Sequence, residues 1–363
     1  MIHFVIFVIF FISSLSISYK SSKSLNILIL GSVLLFIPIL SFLVGVNGSR
    51  LDIDVYIDYF KNSPDLFNNN FIQFTKQTHT EIGYDILTGL FKIISNSASL
   101  FFIFFCLFSL IFRYKFYQEF IPLRDLCLVF FAFLANEFLK KDCVQIRNGL
   151  ASAIVLYSLL HLYKGYRLKF LFFVLLACCI QLTAIVAMPL FFVQNKFTRN
   201  YWKFLLFIFL FSLFICFLFP IKKVFFLFDN IGILPHKIKT YLYYDQFSHA
   251  MSITNPMLLK QTFFVLFFLF HKKKIINNEK IFFFFQIYLL STIYYLVFRD
   301  FEILAGRFGS LLYGVEPILL YLYIEKEKKN IVLKKCIILS MYLVFFLMNY
   351  YTDKTLGFSF NFC

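Results

Sequence analysis

Four charged residues of this sequence lie close to the ends of apolar stretches and could carry chemistry there. Asp52 and Glu81 are carboxylates that could take a proton from a reacting hydroxyl group, whereas Arg147 and Arg307 are permanent cations. A guanidinium group is planar and binds phosphate oxygens in pairs. We therefore predict that a phosphorylated substrate binds here and that the two arginines stabilise the charge that grows on the phosphate as it leaves.

The positions of the two arginines support this prediction. Arg147 opens an apolar run whose next charge is Lys164. Arg307 lies inside an otherwise apolar run, where an arginine costs about 2.5–3.5 kcal/mol on insertion scales unless it faces a partner or a cavity. The alternative for Arg307 is a structural ion pair with Glu302 or Glu316.

Further polar and aromatic residues are predicted to contact the substrate. Asp52, Tyr56 and Phe60 follow one another at intervals of four, so one helical face would carry an acid and two aromatic rings. Aromatic rings offer flat faces on which sugars can pack. Tyr241, Tyr243 and Tyr244 are further candidates for such a contact. The predicted substrate-binding residues are Arg50, Tyr56, Tyr84, Gln145, Gln181 and Arg299.

Structural alternatives exist for several of these residues. Glu81 stands where it could cap a helix and interact with its dipole. Tyrosines gather at membrane interfaces without any catalytic role. Arg299 could be a surface charge that pairs with Asp300 or Glu302.

The sequence contains no pattern that predicts a metal or a cofactor. The eight cysteines lie mostly in apolar runs, form no CxxC pair and have no histidine at metal-ligand spacing. A glycine-rich phosphate loop is also missing. We therefore predict neither a metal site nor a cofactor.

Composition identifies the kind of protein that must position these residues. Of the 363 residues, 61% are hydrophobic and only 15% are charged, whereas soluble domains are roughly 45–50% apolar and 25% charged. The net charge of +16 comes from short basic clusters between apolar runs, which is the distribution that sets membrane orientation. No basic face is interleaved with aromatic residues, so nucleic-acid binding is not expected.

The apolar runs predict an all-α polytopic integral membrane protein with about ten transmembrane helices. Residues 84–112 are predicted to form a short helix, a kink at "NSAS" and then a full span. We find no internal repeat and no linker, so residues 1–363 are predicted to form a single membrane domain. The apolar runs are residues 3–18, 25–46, 84–112, 121–139, 146–163, 168–194, 203–220, 257–271, 281–298, 303–324 and 331–350.

Basic clusters place most short loops in the cytoplasm, and one segment conflicts with simple alternation. Basic clusters flank both ends of segment 168–194, which Gln181, Thr183 and Pro189 interrupt. A re-entrant pair of half-helices would leave both ends in the cytoplasm; the alternative is one kinked span with a basic loop outside. If residues 168–194 form such a re-entrant pair, the long loops 47–83 and 221–256 both lie on the outer side of the membrane.

Several short motifs, in this order, resemble those of the EpsG family of polysaccharide-biosynthesis membrane proteins, which is similar in role to the Wzy-type O-antigen polymerases. They are "RLDIDVYIDYF", "EIGYDILTGLF", "QIRNGLASAIVL", "GYRLKFLFFVLLACCIQLTAIVAMPL" and "AGRFGSLLYGVEPILLY". The family elements fall on Asp52, Tyr56, Phe60, Glu81, Gly83, Tyr84, Ile146, Arg147 and Arg307. The chain departs from the family at Leu51, where glycine is commoner, and at Gln181, where histidine is frequent.

The resemblance implies a metal-independent glycosyltransferase that polymerises repeat units at the outer face of the bacterial inner membrane. The growing glycan would pass from undecaprenyl pyrophosphate to a second lipid-linked unit. Implied partners are the lipid-linked oligosaccharide donor and acceptor, membrane lipid, a chain-length regulator and a flippase.

Three other functions are compatible with the sequence. An O-antigen ligase shares the donor and differs only in the acceptor. A flippase or another transporter of lipid-linked sugars should show an internal repeat and polar residues through many spans. We expect the polar residues at the outer ends of the spans instead. A structural subunit without chemistry is the third alternative.

Overall fold

The computed structural model describes residues 23–46, 52–78, 80–194, 196–233, 236–244, 248–326 and 330–352. These residues contain helices and no strand, so the predicted all-α class is confirmed over the part of the chain that is described. The α-helices are α1 (Lys23–Val46), α2 (Asp52–Asn62), α3 (Phe71–Thr78), α4 (Ile82–Ile94), α5 (Ala98–Phe120), α6 (Leu126–Phe133), α7 (Leu139–Lys141), α8 (Ile146–Tyr163), α9 (Arg167–Ile180), α10 (Arg199–Leu218), α11 (Ile221–Asn230), α12 (His236–Tyr243), α13 (Pro256–Phe270), α14 (Lys272–Ile276), α15 (Glu279–Val297), α16 (Glu302–Tyr313), α17 (Glu316–Glu325) and α18 (Ile331–Thr352). A π-helix, Leu134–Phe138, joins α6 to α7, and 3-10 helices span Leu123–Asp125 and Leu182–Phe192.

Side-chain caps fix where several helices begin. Ser97 accepts a hydrogen bond from Leu100 N at the start of α5, and Thr198 accepts one from Tyr201 N at the start of α10. Such caps satisfy backbone donors that have no partner inside the helix. The prediction for residues 84–112 is confirmed: the short helix is α4, the break is the stretch 95–97, and α5 is long and apolar enough to be the span.

The described residues identify only part of the predicted set of spans. Among the described residues, four helices are long and apolar enough to cross a membrane: α5, α10, α15 and the Ile331–Met348 part of α18. The pair formed by α16 and α17, bent by 41°, would be a fifth. The predicted count of about ten is not confirmed. Some other apolar runs form helices shorter than the roughly 20 residues that a crossing needs, such as α13, and run 3–18 lies outside the described residues.

Segment 168–194 breaks where the sequence predicts. α9 ends at Ile180, Gln181 is extended, and the chain continues as the 3-10 helix Leu182–Phe192, which contains Pro189. A 3-10 helix of this length is unusual. That the two halves form a re-entrant pair stays a prediction.

Residue contacts group the chain into two compact units. Unit 1 contains Met1–Ile185 and Leu320–Cys363, and unit 2 contains Val186–Leu319. The predicted outer loop 47–83 contains α2 and α3, and the predicted outer loop 221–256 contains α11 and α12. The outer location of both loops and the single membrane domain stay predictions.

The core of unit 1 forms around α8. This helix packs between α5 and α9, and almost all of its residues are buried. Its small residues allow close approach: a Cβ atom on Gly149 would lie 2.9 Å from the carbonyl oxygen of Lys141. α8 is therefore a fixed support for Arg147, its second residue.

A buried group of charges holds α8 against α5. The Arg113 guanidinium is fully buried and lies 3.3 Å from Asp142 Oδ1, and it donates to Ser152 Oγ at 2.8 Å. Glu137 is also buried and accepts from Lys141 Nζ at 2.7 Å. The charge of Arg113 is therefore compensated inside the protein.

In unit 2, α15 packs against α10, α13 and α16. Glu316 is buried and accepts from Lys260 Nζ at 2.9 Å and from Tyr288 OH at 2.8 Å. Together with Arg113 this contradicts the expectation that polar residues gather only at the ends of spans. Pairing across helices offsets the cost of burying each charge.

Candidate functional site

An ion pair between Glu81 and Arg147 joins three helix ends in unit 1. Arg147 Nη2 donates to Glu81 Oε2, and Arg147 Nε donates to the carbonyl oxygen of Ile180 at 3.4 Å. Glu81 Oε1 accepts from Leu182 N at 3.3 Å. The pair therefore connects the N-terminus of α4, the N-terminus of α8 and the break after α9.

Three helix N-termini meet at this site. α4, α8 and the 3-10 helix Leu182–Phe192 all begin at it, and helix N-termini carry partial positive charge and unpaired N–H groups. Glu81 is the N-cap residue of α4, yet its side chain makes no capping hydrogen bond there. Its carboxylate occupies an anion position formed by Arg147 and Leu182 N.

Aromatic residues pack beside the ion pair. The centre of the Arg147 guanidinium lies 4.9 Å from the centroid of the Tyr84 ring, which is a cation–π distance. The Tyr84 ring is buried, with its centroid 5.2 Å from that of Tyr59 and 6.2 Å from that of Tyr56. The structure thus brings Tyr84 next to Arg147 and Tyr56 next to Tyr84, both of which were predicted from the sequence.

A glycine allows α4 to reach this position. A Cβ atom on Gly83 would lie 2.7 Å from both the Cβ and the carbonyl oxygen of Cys179 in α9. Such a contact is too short for any side chain. Gly83 therefore permits the close approach that places Glu81 beside the break after α9.

Gln181 and Gln145 flank the ion pair. Gln181 lies between the carbonyl of Ile180 and the amide of Leu182, which contact Arg147 and Glu81 respectively. Gln145 is the N-cap residue of α8, and its Oε1 accepts from Asn148 Nδ2 at 3.0 Å. Gln181 is therefore adjacent in sequence to both backbone groups that bind the ion pair, and Gln145 lies two residues before Arg147.

Two residues of this site were missed by the sequence reasoning. Asp85 is buried, and its Oδ1 accepts hydrogen bonds from Tyr59 OH and Thr80 Oγ1. Its Oδ2 is buried without a hydrogen-bond partner among the described residues. Burial, reinforced by the hydrogen bond to Asp85, raises the pKa of Tyr59 well above its usual value. The available signal was the spacing of four between Glu81 and Asp85, which puts both on one face of α4.

Two predicted residues cannot be placed in this arrangement. Arg50 lies outside the described residues. Asp52 is the first residue of α2, the helix that carries Tyr56 and Tyr59, and its side chain also lies outside the described part. The roles of Arg50 and Asp52 stay predictions.

Unit 2 contains Arg307. Arg307 Nη1 donates to Tyr241 OH at 2.7 Å, and the arginine is half-buried on α16. Within the described residues no carboxylate lies at ion-pair distance from Arg307. The alternative of a structural pair with Glu302 or Glu316 is therefore not found, because Glu316 binds Lys260 instead.

Arg299 lies near the start of α11, also in unit 2. Its Nη2 is 4.0 Å from Asp300 Oδ1, and Asp300 Oδ2 accepts from Lys222 N at 3.2 Å. Arg299 Nε is buried without a hydrogen-bond partner in the described part of the chain. Asp300, which the sequence offered as a local partner of Arg299, thus lies at the outer distance limit of an ion pair with it.

Metal-binding residues are not grouped in the structure. In the residue ranges given above, no three His, Cys, Asp or Glu side chains are arranged to hold a metal ion. The cysteines described there form no disulfide. The predicted absence of a metal stays a prediction.

The comparison with known families identifies the chain. The EpsG family model matches residues 32–362, which include every predicted site residue. No curated protein and no solved structure matches the chain. The EpsG family is a Wzy-like polymerase family, and the apolar helices agree with a multi-pass membrane protein. The chain therefore belongs to the EpsG family.

Proposed function

We propose that this protein is a glycosyltransferase that polymerises lipid-linked oligosaccharide repeat units. The growing glycan is transferred from undecaprenyl pyrophosphate to a second lipid-linked unit at the outer face of the bacterial inner membrane. The observation that carries the proposal is the Glu81–Arg147 pair at three helix N-termini, an anion site filled by a carboxylate of the protein.

The pair supplies both groups that the reaction needs. When the donor binds, its diphosphate oxygens replace the Glu81 carboxylate on Arg147 and on Leu182 N. Arg147 then stabilises the negative charge that grows on the diphosphate as the bond between the anomeric carbon and the phosphate oxygen breaks. The displaced Glu81 accepts the proton of the acceptor hydroxyl, whose oxygen forms the new glycosidic bond.

Neighbouring residues complete the proposed site. Tyr56 is partly exposed and provides aromatic surface, the buried Tyr84 ring positions the Arg147 guanidinium, and Gln181 offers both a donor and an acceptor for sugar hydroxyls. Asp52 is retained as a second candidate base. No nucleotide is required, because the diphosphate leaving group provides the driving force.

Arg307 is proposed as a second phosphate-binding side chain. Donor and acceptor each carry a lipid diphosphate, so the reaction has two such groups to hold. Arg307 uses one Nη atom for Tyr241 and has no carboxylate partner in the described residues, so donors remain for a phosphate.

A transporter of lipid-linked sugars is the second candidate function. The buried ion pairs Arg113–Asp142 and Lys260–Glu316 are the type of intramembrane charge that transport pathways contain. The EpsG match favours the polymerase over this candidate.

The surface polysaccharide of a host with the gene disrupted distinguishes these functions. A polymerase defect leaves one repeat unit on the acceptor, a ligase defect leaves none, and a transport defect keeps the units inside. Arg147→Ala should reproduce the one-unit product, and Arg167→Ala, at an exposed residue of α9, should restore the full ladder. A full ladder from Arg147→Ala at normal protein level would rule out the proposed role of this site.

A further inference from the structure

We propose that unit 2 carries a binding site for an anionic phospholipid, with an acyl chain in an apolar groove and the headgroup at a basic end. This inference goes beyond the proposed function, because the ligand is a lipid of the surrounding membrane and not a substrate.

The groove is large and apolar. Its volume is about 260 Å³, larger than the ~150 Å³ apolar cavity that admits a benzene-sized molecule. Phe192 and Phe204 line it and are 73% and 54% exposed, so the groove opens to the surroundings. The lining residues are Pro189, Leu190, Phe192, Val193, Tyr201, Phe204, Leu205, Ile208, Gln286, Leu289, Leu290 and Ile293.

The one amide side chain in the lining is already satisfied. Gln286 Nε2 donates to the carbonyl oxygen of Gln194 at 2.8 Å, and Gln286 Oε1 accepts from Gln194 N at 3.3 Å. A hydrocarbon chain in the groove would therefore leave no new polar group of Gln286 unpaired. The groove is suited to a lipid chain rather than to a polar ligand.

The groove ends at a strongly basic part of unit 2. α10 and α15 start at the same end, since Trp202 near the start of α10 stacks on Phe285 of α15, with ring centroids 5.7 Å apart. Lys272 Nζ lies 5.3 Å from the centroid of the Trp202 ring. The charged residues of segments 196–203 and 271–280 are Lys196, Arg199, Lys203, Lys272, Lys273, Lys274, Lys280 and one acid, Glu279.

This combination matches an anionic lipid. Tyrosine gathers at the membrane interface, and Tyr201, which lines the groove, marks that level next to Arg199 and Lys203. Basic residues between membrane helices bind the headgroups of anionic lipids. The positive charge at this end therefore selects the headgroup, and the groove takes the chain.

The depth of the groove agrees with one leaflet. Ile208, the lining residue of α10 furthest from the basic end, follows Arg199 by nine residues, which corresponds to about 14 Å along a helix. That distance is about half of the ~30 Å hydrocarbon core. The groove therefore spans the leaflet at the basic end, which the charge distribution places in the cytoplasm.

The test uses the single tryptophan of the chain, Trp202, as a reporter. The full protein is placed in phosphatidylcholine vesicles that contain either brominated phosphatidylglycerol or brominated phosphatidylcholine at equal mole fraction. We expect stronger quenching of Trp202 by the anionic lipid. Arg199→Gln and Lys203→Gln should each weaken that preference roughly fivefold, as removal of one basic residue near a membrane surface predicts. Lys223→Gln, at an exposed residue of α11, should leave it unchanged.

A second arm tests the groove itself. Leu205→Phe combined with Leu290→Phe fills the groove and should abolish the preference, whereas Leu210→Phe, at an exposed α10 residue outside the lining, should not. An unchanged Trp202 emission maximum in detergent shows that the filled variant is folded. If the emission maximum is shifted, the single variant Leu205→Phe replaces the double variant. The amount of brominated lipid that it retains is then compared with the amount retained by the wild type.

Three results would overturn the proposal. Equal quenching by both brominated lipids means that no headgroup is selected, and a preference that survives the filled groove places the lipid elsewhere. Displacement of phosphatidylglycerol by a lower mole fraction of undecaprenyl phosphate would assign the groove to a polyprenyl chain. None of these results bears on the polymerase activity, which is measured separately on the surface polysaccharide.

Discussion

At the scale of single residues, the Glu81–Arg147 pair is the feature that distinguishes a reactive site from a structural contact. Both side chains are mostly buried, Arg147 at 15% and Glu81 at 13% exposed, and each also binds a backbone group at the break after α9. We propose that the pair opens when a diphosphate enters.

Arg147→Lys tests whether geometry matters as well as charge. Lysine keeps the positive charge but lacks the planar fork that binds two oxygens, so we expect shorter surface polysaccharide at normal protein level. Arg147→Ala should leave one repeat unit. Because alanine leaves Glu81 without this cation, the double variant Arg147→Ala with Glu81→Gln controls for instability. A wild-type ladder from Arg147→Lys would mean that only charge is needed.

Glu81→Gln and Asp85→Asn separate the two carboxylates of α4. Glutamine keeps the hydrogen bond to Leu182 N but cannot take a proton, so transfer in isolated membranes should slow by about 10²–10⁴-fold. Asparagine at 85 keeps an acceptor for Tyr59 and Thr80, and we expect a smaller loss. The opposite order would identify Asp85 as the base.

The sequence predicted part of this site. Glu81 and Arg147 were chosen for their charge beside apolar runs, and the structure joins them although 66 positions separate them. Asp85 and Tyr59 were missed because an aspartate in a first helical turn has an ordinary explanation in the helix dipole. Only the folded arrangement of α2 and α4 shows that Tyr59 donates a hydrogen bond to the buried Asp85 carboxylate.

At the scale of elements, the approach of α4 to α9 depends on Gly83. Gly83→Ala should separate the two helices, weaken the contacts of Glu81 at the break and shorten the polysaccharide, because the new Cβ has no space beside Cys179. Gly31→Ala is the control, since a Cβ there meets nothing within 4 Å. Equal ladders from both variants would show that this helix contact does not position the site.

The buried charges around Arg113 fix α8 against α5. Arg113→Met leaves Asp142 buried without its cation, so we expect the free energy of unfolding to fall by about 3–5 kcal/mol in a thermal or denaturant titration of purified protein. Arg113→Met with Asp142→Asn should recover part of that loss. A single variant as stable as the wild type would exclude a clamping role for this group.

Element boundaries were predictable where capping or breaking residues stand in the sequence. Ser97 ends the stretch between α4 and α5, and Gln181 marks the break after α9. The number of spans was not predictable, because apolar runs such as 257–271 are equally compatible with a crossing and with a short buried helix. Burial of Arg113 was missed because its partners come from other helices.

At the scale of the whole molecule, composition alone predicted a membrane protein, and the EpsG match agrees. The division into two units was not predictable, because no linker or change of composition marks residue 185 or 319. Arg147 belongs to unit 1 and Arg307 to unit 2.

The affinity of the purified protein for undecaprenyl pyrophosphate, wild type against Glu81→Gln, tests the central claim most directly. If the Glu81 carboxylate occupies the place of the diphosphate, its neutralisation removes a competitor, and binding should tighten by roughly tenfold while transfer slows. Arg147→Ala should bind more weakly than either protein, and Arg167→Ala should bind as the wild type does. Unchanged or weaker binding by Glu81→Gln would contradict the account, because the pair would then be a structural contact and not a filled anion site.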